Sequence, residues 1–292
     1  MKRFLLRILA FSSILLSFYA IVWGYYIWQM HTFSFVLPQE KHILVIGDSQ
    51  TQAAVDDVLL PQIKNISQSH DNYFTQYRRL QLYVDANQQI DTVFIALTPH
   101  TVAVWTDCFF GDFGYIDYAV KYYLPFFSLS EWAQFLRHDC ADVVSSLFTP
   151  IKFYLAVDSS YIEQMGRFSV VSESHLQQDV ASGALRLRRH EESVETNNRV
   201  TLTSLHHIAD LCSERGIKLI GLNTPVYHAD EYLDTANFRK VLTNHFPDIE
   251  LWDYMRADIP DSFRRDVNHL NRAGANWMTE VLGKRMSLNS KN

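Results

Sequence analysis

The chain has 292 residues, an aromatic content of 14% and a formal net charge of -6, which suits one sizeable folded core and excludes a disordered polymer. A balance on the acidic side, with no broad basic field, lacks the electrostatic footprint of a nucleic-acid-binding protein.

The first element along the chain reads as a membrane segment. After Arg7 no Asp, Glu, Lys or Arg occurs until Glu40, a span ample for a hydrocarbon layer of ~30 Å. Lys2, Arg3 and Arg7 precede it, so the positive-inside bias predicts a cytoplasmic N-terminus, with Trp23, Tyr25, Tyr26 and Trp28 at the far interface. A cleaved signal peptide is the competing reading. The length of the run and the lack of a small-x-small site favour an uncleaved anchor. Residues 1–40 are therefore expected to form a cytoplasmic stub, anchor and linker, and residues 41–292 an exported domain.

From there, short apolar runs alternate with segments of helical period. Strands are expected in "HILVIG", just before "KNISQSHDNYF", and in "DTVFIALT", "IKLIGLNTP" and "IELWDY". Helices are expected in "DNYFTQYRRLQLYVDAN", "TLTSLHHIADLCSERG", "EYLDTANFRKVLTNHF" and "NRAGANWMTEVLGKRM". This alternation predicts an α/β fold, a parallel sheet covered by helices. Gly216 supplies a left-handed helix stop, and Pro225 ends the strand that follows.

The rhythm breaks between about residues 104 and 197, where "WTDCFFGDFGYIDYAVKYYLPFFSLSEWAQFL" is densely aromatic. An insertion on the carboxyl side of the sheet is expected there. Its aromatics form either the small core of a helical subdomain or a docking surface, and the rarity of exposed apolar patches favours the first. The charged "RLRRHEESVE" reads as a solvated loop. Cys108, Cys140 and Cys212 form an odd set, so the chain holds at most one internal disulfide. A Cys108–Cys140 pair and reduced buried thiols both remain open.

Candidate chemistry begins at "HILVIGDSQTQ", where the first strand runs into Gly47-Asp48-Ser49. Strand ends of a parallel sheet face the ligand crevice, so Ser49 is delivered to its edge. Two readings stand: an acyl-transfer nucleophile beside the N–H groups of a helix start, or an ordinary helix cap. A base is available in "RRDVNHLNRAGANWM", which puts Asp266 three residues before His269 in the loop leading to the last helix. His206 and His207 are adjacent on a helix and cannot face one metal, the cysteines lack C-x-x-C spacing, and no Gly-rich phosphate loop occurs. No metal and no cofactor is expected, and His228 reads as a polar loop residue.

Gly-Asp-Ser after the first strand and Asp-x-x-His-Leu-Asn before the last helix resemble the first and last sequence blocks of the SGNH/GDSL hydrolase superfamily. The resemblance implies a three-layer sandwich with a flavodoxin-like central sheet. It also implies Ser49 as nucleophile, His269 as general base and Asp266 as the carboxylate that orients the imidazole. The superfamily's middle blocks supply a Gly and an Asn to the oxyanion hole, and neither stands here in recognisable form. Ser67 or Ser69 falls near the glycine's place, while Thr98 to Thr101 replaces Gly-x-Asn-Asp with His100 nearest the asparagine.

The anchor, the Gly-Asp-Ser start and the run from Asp266 to Ala275 are most similar to the membrane-anchored envelope branch, which includes the D-alanyl transfer proteins of teichoic acid systems and exopolysaccharide O-acetyltransferases. That similarity implies an exported serine acyl-enzyme catalyst, esterase or O-acyltransferase, acting on an acylated cell-envelope glycan. The alternative it leaves is a non-catalytic SGNH-like partner of a multispanning membrane acyltransferase or glycan exporter.

Overall fold

The computed structural model describes residues 1–104, 106, 123–138, 165–183, 194 and 199–289. Cys108 and Cys140, whose pairing the sequence leaves open, much of the aromatic insertion and most of "RLRRHEESVE" lie outside the described residues.

Strands β1 (Ile43–Ile46), β2 (Ile63–Asn65), β3 (Thr92–Ala96), β4 (Lys218–Asn223) and β5 (Glu250–Asp253) form one all-parallel sheet in the order β2-β1-β3-β4-β5. β1 is buried along its whole length, which is why its four residues are all branched and apolar. Leu44 and Ile46 enter one hydrophobic cluster with Val93 and Ile95, whereas Ile43 and Val45 enter a second with Phe94 and Trp252. The chain order reverses at β1, so the crevice for a ligand opens at the carboxyl ends of β1 and β3.

The described α-helices are α1 (Lys2–Thr32), α2 (Ser49–Ala54), α3 (Tyr73–Ala86), α4 (Leu129–His138), α5 (Leu176–Ala181), α6 (Arg199–Glu214), α7 (Ala229–Tyr232), α8 (Thr235–His245) and α9 (Arg272–Asn289). On one face of the sheet α3 supplies Leu80 and Val84, α6 Leu205 and Ile208, and α8 Phe238 and Val241. On the other, α9 supplies Met278 and Leu282. Gly216, at φ 67, ends α6 and donates its N–H to Ser213 O at 3.1 Å, the left-handed stop expected there. The single helix expected over "EYLDTANFRKVLTNHF" is two. Asp234 interrupts it, because its carboxylate accepts from Asn237 N at 3.1 Å and so starts α8 afresh.

α1 is long and apolar enough to cross a membrane. Residues 1–18 are exposed throughout, while the last turns are built into the domain. Tyr26 and Met30 are fully buried in the first cluster, Trp23 meets Trp132 of α4 edge-on at 6.4 Å, and His31 meets Phe126 at 5.0 Å. The aromatics expected at the far interface therefore divide. Tyr25 and Trp28 stay exposed, 5.7 Å apart, and Tyr26 turns inward. The linker is tied down as well, since Asn87 accepts from Leu37 N at 2.6 Å and donates to Phe35 O at 2.8 Å.

Arg79 on α3 is fully buried and joins three stretches of chain. It pairs with Asp71 and donates to Gln68 Oε1 at 2.9 Å, to the Tyr123 hydroxyl at 2.6 Å and to Met165 O at 2.5 Å. The segment after β2 is thereby clamped to two points of the region between residues 104 and 197. Gly166 makes the approach possible, as a Cβ there would stand 2.2 Å from Ile66 O. Burial drives the Asp71 carboxyl up to about 6, with the Arg79 charge opposing it. Removing either partner leaves an uncompensated charge in the interior, so Asp71→Ala and Arg79→Met should each cost about 3–5 kcal/mol. The measurement is the midpoint of urea unfolding in detergent micelles.

Candidate active site

β1 hands the chain to Gly47, whose position admits no side chain: a Cβ would lie 2.4 Å from Ala96 Cβ on β3. The next residue, Asp48, caps α2, its Oδ1 accepting from Gln50 N at 2.9 Å. Asp48 takes the capping role that the sequence left open for Ser49. Ser49 is the first helical residue, and its Oγ lies 2.8 Å from His269 Nε2.

His269 comes from the short loop before α9. The neck of that loop is closed by an antiparallel bridge between Arg264 and Leu270, and its far end by Asn271, which accepts from Ala273 N and donates to Ser262 O at 2.7 Å. Within it, Asp266 takes the Asn268 and His269 backbone N–H groups at 2.8 and 2.9 Å. The same carboxylate stands 2.8 and 2.9 Å from His269 Nδ1. With Nδ1–H donating to Asp266, the Nε2 lone pair is left for the Ser49 hydroxyl. Burial alone would raise the Asp266 carboxyl, but the hydrogen bond and charge of His269, with the two backbone donors, hold it down at about 2.

The three candidates for the oxyanion region separate. Ser67 is fully buried and its N–H goes to Asn65 Oδ1 at 2.9 Å, which corrects the expectation of an oxyanion donor there: the group is already committed. Ser69 Oγ donates to Gln52 Oε1 at 2.6 Å, one helical turn from Ser49. His100 sits in a 3-10 turn after β3 and brings its Nε2 to 3.7 Å from Asp48 Oδ2, a buried atom that accepts no hydrogen bond. That turn is braced by reciprocal bonds between Thr98 and Thr101 at 3.0 and 3.2 Å and by the Tyr73 hydroxyl at 2.8 Å from Thr101 Oγ1.

Sequence reasoning missed a stretch of chain along the rim. From Gly166 onward, Arg167 N donates to Ser67 O, Ser169 N to Gln52 O and His175 N to Arg265 O. Phe168 lies under Arg272, 4.9 Å from ring centroid to guanidinium carbon. The strap runs from the segment after β2, past α2, to the loop carrying His269. Its bonds are backbone to backbone and leave no mark on residue type. Cys212 is buried on α6, where burial pushes its thiol up to about 12, an inert state. Among the described residues no three His, Cys, Asp or Glu side chains converge on a point that could hold a metal ion.

No protein-family model and no curated protein matches this chain.

The depressed Asp266 carboxyl has a thermodynamic consequence. Its folded pKa lies below its unfolded value of 3.8, so the stability it confers is fully present above that pH and is lost as pH falls through about 2. Asp266→Asn should therefore lower stability by roughly 2 kcal/mol near neutrality, and the gap between variant and parent should close between pH 4 and 2. Chemical denaturation across that range measures it.

Proposed function

We propose that the protein is an exported, membrane-anchored serine acyl-enzyme catalyst, an esterase or O-acyltransferase acting on an acylated cell-envelope glycan, with the flavodoxin-like three-layer sandwich of the SGNH/GDSL superfamily. The observation that carries this reading is the Ser49–His269–Asp266 relay. Its nucleophile and base lie 220 positions apart in the chain and 2.8 Å apart in space, and its carboxylate is 2.8 Å from the other ring nitrogen. A helix cap and an exposed loop histidine have no physical reason to meet in that way.

In this mechanism Ser49 Oγ attacks the acyl carbonyl while its proton passes to His269 Nε2. Asp266 stabilises the imidazolium and keeps the ring aligned. Charge developing on the carbonyl oxygen is met by the Ser49 N–H at the start of α2, with His100 approaching from the turn after β3. His269 then returns the proton to the leaving sugar oxygen, and the acyl-enzyme is taken by water or by a second hydroxyl, again through His269. Which acceptor wins depends on how well water is excluded. The strap along the rim supports a covering role for the region between residues 104 and 197.

The length and apolar character of α1 support membrane attachment, and the cations Lys2, Arg3 and Arg7 before it support an N-in, C-out orientation. A multispanning membrane acyltransferase is the partner chemistry that would deliver acyl groups to this side. The second reading, a non-catalytic partner of such a protein, draws on one observation, the committed Ser67 N–H in place of an oxyanion donor.

Labelling with a fluorophosphonate, followed by peptide mapping, separates the two. Modification at Ser49 is expected in the parent and absent in Ser49→Ala; an unlabelled parent would favour the non-catalytic reading. Because the three residues act as a unit, Ser49→Ala and His269→Ala should each slow ester turnover on the order of 10⁴- to 10⁶-fold, the double variant should add little, and Asp266→Asn should cost less. For topology, alkaline phosphatase fused after Asn292 should be active, and activity of a cytoplasm-only reporter at that position would overturn the orientation.

A further inference from the structure

Arg79 and Arg264 are both buried beyond nine-tenths of their surface, at 0% and 6% exposed, yet among the described residues only Arg79 has hydrogen-bond acceptors for its side chain. The Arg264 side chain makes no hydrogen bond and no ion pair among the described residues, and its Nε is wholly enclosed. The aromatic face of Tyr227 stands 5.6 Å from its guanidinium carbon. Burial pulls the guanidinium below its ordinary pKa, with Asp261 acting in the opposite sense. Only Nε is shut off from solvent without an acceptor, so the terminal nitrogens remain accessible donors without a protein acceptor among the described residues.

Arg264 lines a cavity of about 450 Å³ beyond the carboxyl ends of β4 and β5. The acidic groups around it do not complete the arginine. Asp230 is held by Arg256 and Glu231 by His228, while Asp258 and Asp261 are exposed and screened by solvent. The cavity adjoins the loop that carries Asp266 and His269: Arg264 precedes Asp266 by two positions, and Tyr227 N donates to Val267 O at 2.8 Å.

We propose that this cavity is the subsite for an anionic substituent of the glycan, a carboxylate or a phosphate, received by the planar fork of Arg264. That the anion belongs to a glycan substrate rests on the acyl-enzyme reading; the binding of the anion does not.

Calorimetric titration of the full chain in detergent micelles tests it with three probes: trigalacturonate, glycerol 3-phosphate and neutral maltotriose. Either anionic probe should bind the parent and Ser49→Ala alike, trigalacturonate marking a carboxylate site and glycerol 3-phosphate a phosphate site. Maltotriose should not bind, and Arg264→Met should weaken the anion tenfold or more. Without ligand, Arg264→Met should melt at or above the parent, because an enclosed Nε with no acceptor has been removed. The proposal is overturned by anionic probes that do not bind, by equal affinity in Arg264→Met, by preference for maltotriose, or by an Arg264→Met protein that melts lower or fails to fold. Fluorophosphonate labelling of the parent is a separate readout. Its absence would remove the acyl-enzyme reading and leave the calorimetry to decide this one.

Discussion

A fully buried guanidinium is kept in a protein interior by acceptors on several sides, and Arg79 draws its acceptors from three separate stretches: Asp71 and Gln68 after β2, Tyr123, and Met165. The desolvation of a charge pair is expensive, so the arrangement is stable only when all of its members are in place. Segments that border the crevice are thereby made interdependent. The segment that follows β2 acquires its path together with the residues that lead into the strap, and the strap in turn touches α2 and the loop of His269.

The crevice itself is held by short polar side chains that bond to backbone. Asp48 fixes the start of α2, Asn65 and Asn72 the segment between β2 and α3, Asp266 and Asn271 the loop before α9. Each of these residues makes a turn rigid at a place where regular secondary structure has ended. Several buried polar atoms are left without partners, among them three near the crevice and the neighbouring cavity. Asp48 Oδ2 and Ser67 Oγ lie beside the Gly47–Ser49 turn, and Arg264 Nε beside the neighbouring cavity.

How much of this could be read from the chain varied with the range of the interaction. The Gly47-Asp48-Ser49 turn and the Asp266–His269 pair were legible because each is a local chemical pattern, and the strands and longer helices because their apolar periods are local too. Asp234 was not recognised as a helix break, since a capping residue inside a continuous apolar pattern looks like any polar surface residue. Tyr26 was expected among headgroups, for an aromatic at the end of an apolar helix carries no label for the protein that covers it. The strap was invisible because its bonds join main-chain atoms. Arg264 was invisible for a further reason: a charge reads the same in a sequence whether water surrounds it or nothing does.

The last turns of α1 carry a mechanical consequence. A single-pass helix followed by a loose linker lets its domain sample a hemisphere above the bilayer, with a radius set by the linker. Here Tyr26 and Met30 are buried in the domain, and Asn87 fastens the chain between Phe35 and Leu37. In a bilayer such a joint has no swivel. The crevice would keep one height and one tilt, leaving it lateral diffusion and spin about the membrane normal, so that whatever enters it must arrive at a set altitude.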